Sequence, residues 1–108
     1  MLAVPVPQGR FPMPAYVIAD IDAADPEKYK GYTALSPAAA AKHGGKFLAR
    51  GGEVAVLEGG WTPGRLVVLE FPDLAVARTF YASAEYAEAR AKRAGATRRF
   101  NMVVVQGV

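Results

Sequence analysis

The sequence predicts an α+β fold, in which helices pack on one face of a four-stranded antiparallel sheet. Four short segments alternate apolar and polar residues as strands do, and longer segments between them carry helix caps. Their order along the chain is β-α-β-β-α-β, the ferredoxin-like signature. The chain has 108 residues, of which 52% are hydrophobic and 21% charged. This size and composition are typical of one globular domain.

The strands are predicted from β-rich segments that are bounded by glycine, proline or aspartate. They cover residues 15–22, 46–50, 65–71 and 97–106. Residues 53–58 form a further extended segment, which is predicted to continue the second strand beyond a turn or bulge at Gly51-Gly52.

Two regions are predicted to be helical because each begins with an aspartate cap. The first cap is Asp25, and its helix covers about residues 26–42, with Pro37 expected to kink it or divide it in two. The second cap is Asp73, and Ser83 is expected to restart that helix for a further stretch.

The chain is predicted to comprise a proline-rich N-terminal arm, residues 1–13, and a domain, residues 14–108. The arm lacks the basic start and apolar core of a signal peptide, and no run of about 18 apolar residues suits a membrane span. The chain has no cysteine, which fits a cytoplasmic location. The net charge of +3 comes from scattered basic residues, a pattern that disfavours nucleic-acid binding.

The sheet face away from the helices is predicted to be an association surface. Helices cover one face only, yet the opposite face still carries apolar side chains such as Tyr16, Ile18, Leu48, Leu66 and Val68. An exposed apolar sheet of this extent favours a partner, and two-fold packing of sheet on sheet is the simplest solution. We therefore expect a homodimer through this face.

Three charged residues are predicted to lie on that same face, namely Asp20, Arg50 and Glu70. Arg50 and Glu70 are expected to form a cross-strand pair. Charges on a face that dimerisation buries must be paired, so a structural cluster is one interpretation. The other is a pocket for a small polar ligand, in which Arg50 binds a carboxylate and the two acids are catalytic.

Several segments together resemble the family called "domain of unknown function 1330". They include Tyr16-Val-Ile-Ala-Asp20-Ile, His43-Gly-Gly-Lys-Phe-Leu-Ala-Arg-Gly-Gly52, Arg65-Leu-Val-Val-Leu-Glu-Phe-Pro72 and Tyr81-Ala-Ser-Ala-Glu-Tyr86. The resemblance covers about residues 13–108. It implies a dimeric α/β barrel in which two sheets face each other, but it implies no reaction. The fold is similar to that of small monooxygenases, muconolactone isomerases and stress-response barrel proteins, an analogy of fold alone.

Four further side chains are candidates for the same site. His43, the only histidine, is a candidate general base, although a histidine at a helix C-terminus is also favoured by the helix dipole. Tyr32, Trp61 and Tyr86 are candidates to line the pocket, although such aromatic residues often serve packing alone. No dinucleotide, phosphate-binding or metal-ligand motif is present, so no cofactor and no metal are predicted.

Two functions follow from these patterns. The first is a homodimer that binds a small polar or carboxylate metabolite between sheet and helices. Such a protein could be a cofactor-independent isomerase, lyase or monooxygenase-like enzyme. The second is a non-catalytic dimeric module whose charged cluster fixes the pairing of the two sheets.

Overall fold

The computed structural model describes residues 13–108, so the predicted N-terminal arm lies outside the described residues except for Met13. One antiparallel sheet has the strand order β2-β3-β1-β4, and the helices pack on one of its faces. The strands are β1 (Ala15–Asp22), β2 (Lys46–Arg50), β3 (Arg65–Phe71) and β4 (Arg99–Gln106). The helices are α1 (Pro26–Lys42), α2 (Leu74–Ala82) and α3 (Ala84–Lys92). The ferredoxin-like β-α-β-β-α-β prediction is confirmed, with the second helical region divided at Ser83. Within residues 13–108, no helix is long and apolar enough to cross a membrane.

The hydrophobic core lies between the sheet and the helices. Every second residue of β1, from Ala15 to Ile21, is buried, as the strand alternation predicts. Phe80 of α2 is the centre of an aromatic cluster, with ring centroids 4.8 Å from Phe71 and 4.5 Å from Tyr86. Full burial of an aromatic side chain contributes about 1.5–3 kcal/mol, so this cluster is a main source of stability.

Helix α1 is one continuous helix, and the predicted division at Pro37 is wrong. The Asp25 side chain caps it by accepting a bond from the Lys28 backbone N–H at 3.1 Å. Proline removes one backbone donor, but burial of the helix face that carries Ser36 and Ala40 outweighs that loss. The helix ends where Gly44 takes the left-handed conformation, with φ of +78°.

Strand β2 contains a bulge that reverses the predicted orientation of Arg50. Lys46 lies opposite Glu70, but the register shifts at Leu48, and Arg50 lies opposite Val67. Because Val67 faces the helices, Arg50 lies on the helix side of the sheet, and its guanidinium stacks 4.5 Å from the centroid of the Phe47 ring. The predicted Arg50–Glu70 pair is therefore wrong. One extra residue in a strand exchanges the two faces for every residue after it.

A long hairpin loop, residues 51–64, joins β2 to β3. The predicted extension of β2 through residues 53–58 is wrong, because these residues belong to no strand. All residues from 51 to 62 are exposed, including Leu57 at 95% of its surface. The loop leaves the sheet beside Arg65 and returns over β1, where Gly64 lies against the carbonyl of Ile21.

The sheet face opposite the helices, which we call the open face, carries apolar side chains, as predicted. The register places Ile18 of β1 between Val68 of β3 and Val103 of β4. Val103 is 60% exposed and Leu48 in the bulge is 50% exposed. The protomer therefore leaves this apolar surface in contact with solvent.

Candidate functional site

A small cavity lies between the sheet and α1, with a volume of about 30 Å³. That volume holds one or two water molecules. Aromatic, aliphatic and hydroxyl side chains from all four strands and all three helices surround it. The lining residues are Ala19, Ile21, Tyr29, Tyr32, Thr33, Ser36, Phe47, Arg50, Arg65, Val67, Leu69, Phe80, Tyr86, Phe100 and Met102. Two of the predicted ligand-binding tyrosines, Tyr32 and Tyr86, are thus brought together with Arg50.

Three arginines, which we call the arginine rim, surround the aromatic side chains of this cavity. Arg50 and Arg65 line the cavity, and the Arg93 guanidinium lies 3.7 Å from the centroid of the Phe100 ring. Among residues 13–108, none of the three forms an ion pair. The Nε atoms of Arg65 and Arg93 are buried without a hydrogen-bond partner in the same part of the chain. Guanidinium groups that lack a carboxylate partner can bind an anion.

The hydroxyl groups of Tyr32 and Tyr86 form a buried pair at 2.7 Å. Burial, with the neighbouring Tyr86, raises the pKa of Tyr32 far above its ordinary value. Burial likewise raises the pKa of Tyr29, although Arg65, Arg93 and Arg50 oppose the change. Tyr29 and Tyr32 are therefore protonated at neutral pH. They can act as hydroxyl groups toward a ligand but not as bases.

A larger cleft, with a volume of about 530 Å³, opens beside β4 and under α2 and α3. Phe80, Phe100 and Met102 line both the cleft and the small cavity, so these side chains form the wall between them. Arg78 and Arg93 line the cleft as well. A volume of this size suits a small organic ligand.

His43 lies at the end of α1 and does not line either cavity. Its Nε2 is 3.5 Å from the Glu85 Oε1, and the Lys42 Nζ is 2.8 Å from the other oxygen of the same carboxylate. Lys42, with the backbone at the start of α3 and with His43, lowers the pKa of Glu85 to about 2. This contact joins the end of α1 to the start of α3.

Asp20 is buried on the open face, as predicted, and its carboxylate is fully engaged. It accepts bonds from the Arg99 guanidinium at 2.9 Å, the Gly64 backbone N–H at 2.9 Å and the Trp61 indole N–H at 3.0 Å. Arg99 first, then Gly64 and Trp61, lower the pKa of Asp20 to about 2. This cluster fastens the returning end of the long loop to β1, and it places Trp61 away from the small cavity.

Glu70 is also buried on the open face, where its Oε2 accepts a bond from the Tyr16 hydroxyl at 3.2 Å. It lies four residues along the strands from Asp20, which is about 13 Å at 3.3 Å per residue. The three predicted catalytic residues, His43, Asp20 and Glu70, therefore do not converge on one point. Within residues 13–108, no group of three His, Cys, Asp or Glu side chains could hold a metal ion.

Arg65 and Arg93, two members of the arginine rim, were not among the site residues predicted from the sequence. Arg65 had a signal, because it is in phase with Val67 and Leu69 on the buried face of β3. A charged residue in phase with a buried set indicates a special environment. Arg93 had no such signal in the sequence, because it lies at the C-cap of α3, where a basic residue is common.

These features define a ferredoxin-like α+β domain with an aromatic cavity and an arginine rim. The chain belongs to the family described as Domain of unknown function (DUF1330), whose model matches residues 14–108. No curated protein matches the sequence.

Three of the solved structures that share the fold illustrate the similarity. A protein of unknown function from Rhodopseudomonas palustris is 20% identical, with a TM-score of 0.69 over 88% of this chain and 82% of that one. A dimeric ferredoxin-like protein of unknown function from Jannaschia sp. CCS1 is 13% identical, with a TM-score of 0.64 over 86% and 96%. A candidate antibiotic biosynthesis monooxygenase from Nitrosomonas europaea is 17% identical, with a TM-score of 0.54 over 89% and 98%. At these identities the likeness establishes the fold alone.

Proposed function

We propose that this protein binds a small organic carboxylate whose head group enters the small cavity at the arginine rim, while the apolar part of the ligand, which is too large for a cavity of about 30 Å³, lies outside it. The carrying observation is the set of three arginines, Arg50, Arg65 and Arg93, which have no carboxylate partner in the described chain. Guanidinium groups bind carboxylates through paired, charge-assisted hydrogen bonds. A carboxylate would give these guanidinium groups the charged partner that residues 13–108 do not supply.

The lining of the cavity supports binding and orientation of a ligand rather than proton transfer. It provides guanidinium groups and protonated hydroxyls, and no residue that lines it is His, Asp, Glu or Lys. A general base would need to lie within hydrogen-bond reach of the ligand. The contacts of His43 and Asp20 therefore favour structural roles for both side chains.

The test is a thermal-shift measurement with paired ligands, benzoate against benzamide and hexanoate against hexanamide. A ligand at 100 times its Kd stabilises the folded state by about 2.7 kcal/mol, which raises the Tm of a domain of this size by more than 10 °C at about 4–8 °C per kcal/mol. We expect the carboxylates to stabilise the protein and the amides to have little effect. Equal stabilisation by an acid and its amide would contradict the proposal.

The matched variants are Arg50→Met and Lys46→Met, which remove one cation each from the same strand. Arg50 lines the cavity, whereas Lys46 lies opposite Glu70 on the open face. We expect Arg50→Met to abolish most of the carboxylate effect and Lys46→Met to retain it. Loss of the effect in both variants would indicate net charge rather than the rim.

We also propose that the protein is a homodimer that buries the open face. The exposed apolar side chains of that face support it, and the Jannaschia relative of the same fold is dimeric. Val68→Asp at the centre of the face should give a monomer by light scattering, whereas Val108→Asp at the exposed C-terminus should leave the dimer intact. A wild-type monomer at micromolar concentration would refute this proposal.

The alternative, a non-catalytic module whose charged cluster fixes pairing, is supported by the full engagement of Asp20. In that role, Asp20→Asn changes the dimer dissociation constant and leaves carboxylate binding unchanged. Loss of carboxylate binding in this variant would instead indicate that Asp20 belongs to the ligand site.

A further inference from the structure

The long hairpin loop contains a segment that has the sequence of a buried strand but lies outside the sheet. Val54-Ala55-Val56-Leu57 is apolar on both faces, a pattern that is typical of strands covered on both sides. In the protomer, Val54 is 37% and Val56 is 50% exposed. Within the described chain, the backbone of residues 52–60 makes no hydrogen bond. The segment therefore has both apolar side chains and backbone groups left for a partner.

Within residues 13–108, the outer edge of β4 has no partner strand. It pairs with β1 on one side only, and residues 99–106 contain neither proline nor a bulge. Native proteins usually protect such an edge with those devices, because its free N–H and C=O groups accept a further strand. At the other edge of the sheet, β2 is short and bulged. β4 is thus the edge that can accept a strand.

The cleft beside β4 has no cover among the residues that the structure describes. Phe100, Met102 and Val104 line it and are in part open to solvent. A strand added to β4 would turn alternate side chains toward this cleft and the others toward the open face. A strand that is apolar on both faces could therefore pack against the cleft on one side and against the apolar open face on the other.

Length and charge both match a second copy of this chain. Residues 53–58 span about 20 Å when extended, within the roughly 26 Å of the eight residues of β4. Glu53 and Glu58 flank the apolar run, and Arg78 and Arg93 line the cleft. The loop cannot reach its own β4 as an added strand without crossing β1, which lies between β3 and β4 in the sheet.

We propose that residues 53–58 of each protomer add as a strand to the β4 edge of a second copy and cover its cleft. This inference depends on the proposed homodimer, and it makes the cleft of each protomer complete only in the dimer. The exchange is mutual, because a two-fold axis gives each protomer one donated and one received strand. The partner's loop then supplies one wall of the site beside the arginine rim.

Cysteine cross-linking tests the location of the loop, since the chain has no cysteine of its own. A Val56→Cys protein is mixed with a Val103→Cys protein or, as a control, with a Leu48→Cys protein on the opposite edge strand. Leu48 and Val103 have similar exposure, 50% and 60%, so chance encounters should be alike. With a short bismaleimide, we expect the Val103→Cys mixture to give at least ten times as much cross-linked heterodimer as the Leu48→Cys mixture.

Proline substitution tests the backbone pairing. Only alternate N–H groups of an added strand point at its neighbour, so Ala55→Pro and Val56→Pro should differ. We expect one of them to raise the dimer dissociation constant at least tenfold and the other to raise it much less. Neither should lower the stability of the protomer, because neither N–H is bonded there.

The outcomes separate this inference from the proposals on which it depends. A dimer that gives no excess cross-link to position 103 and tolerates both prolines would overturn the strand exchange and leave the sheet-face dimer standing. A monomeric wild-type protein would overturn the exchange and the dimer together. Carboxylate binding is measured independently, so its loss or retention decides only the proposal for the arginine rim.

Discussion

The buried hydroxyl pair provides a prediction whose size can be worked out from the contacts. Tyr86 Oη has a second neighbour, Met102 Sδ at 3.9 Å, whereas Tyr32 Oη has only Tyr86 within the described chain. Tyr86→Phe therefore leaves the Tyr32 hydroxyl buried and unpaired, at a cost of about 1–3 kcal/mol. Tyr32→Phe leaves the Tyr86 hydroxyl with the sulfur atom and should cost about 0.5–1.5 kcal/mol.

The double variant should cost less than the sum of the two single variants, because removing both hydroxyls leaves no unpaired group. Urea unfolding measures these differences. With an m-value of about 2 kcal/mol per molar urea, a loss of 2 kcal/mol moves the midpoint by about 1 M. Equal costs in both single variants, or costs below about 0.5 kcal/mol with full additivity, would refute the reasoning. They would show that cavity water satisfies each hydroxyl separately.

Three further predictions concern stability and use the same unfolding assay. The carboxyl pKa of Asp20 is about 2 in the folded state against an ordinary 3.8, so the stability it gives is present above about pH 4 and lost as the pH falls toward 2. Asp20→Asn should remove that part of the acid dependence, and an unchanged pH profile would contradict it. Gly45→Ala places a Cβ 2.6 Å from the Phe71 ring and should cost about 1–3 kcal/mol, whereas Gly52→Ala, with nothing within 4 Å, is the neutral control. Ser83→Ala removes the N-cap of α3 and should lower the free energy of unfolding by about 1 kcal/mol. A decrease of less than about 0.3 kcal/mol would contradict a stabilising role for this cap.

The fold could be predicted from the sequence because its signals are local. Alternation in β1 and β3 identifies buried faces, and Asp25, Asp73 and Ser83 each cap a helix, as their residue types predict. Each of these signals depends on only a few neighbouring residues. The ferredoxin-like order follows once the elements are known, since few arrangements of β-α-β-β-α-β bury both helical regions on one sheet.

The site could be predicted only in part, because it depends on register and on contacts between distant segments. The position of Asp20 and Glu70 on the open face follows from alternation, but their partners do not. Trp61 reaches Asp20 across a loop whose path no local pattern specifies. Arg50 was misplaced because alternation was extended through a bulge, and a bulge leaves no mark in the residues Phe47-Leu48-Ala49 themselves.

The bulge at Leu48 has a consequence for how far this chain can assemble. A sheet with two free, regular edges can pair at both, and head-to-tail pairing of that kind continues into open fibres. The β2 edge is interrupted after two residues, Lys46 and Phe47, so the sheet cannot grow strand by strand at that edge. Only assemblies that close after two copies can then form. The same bulge thus also limits polymerisation. Deletion of Leu48 should therefore leave Arg50 opposite Val67 but make the β2 edge regular, and the protein should become prone to aggregation.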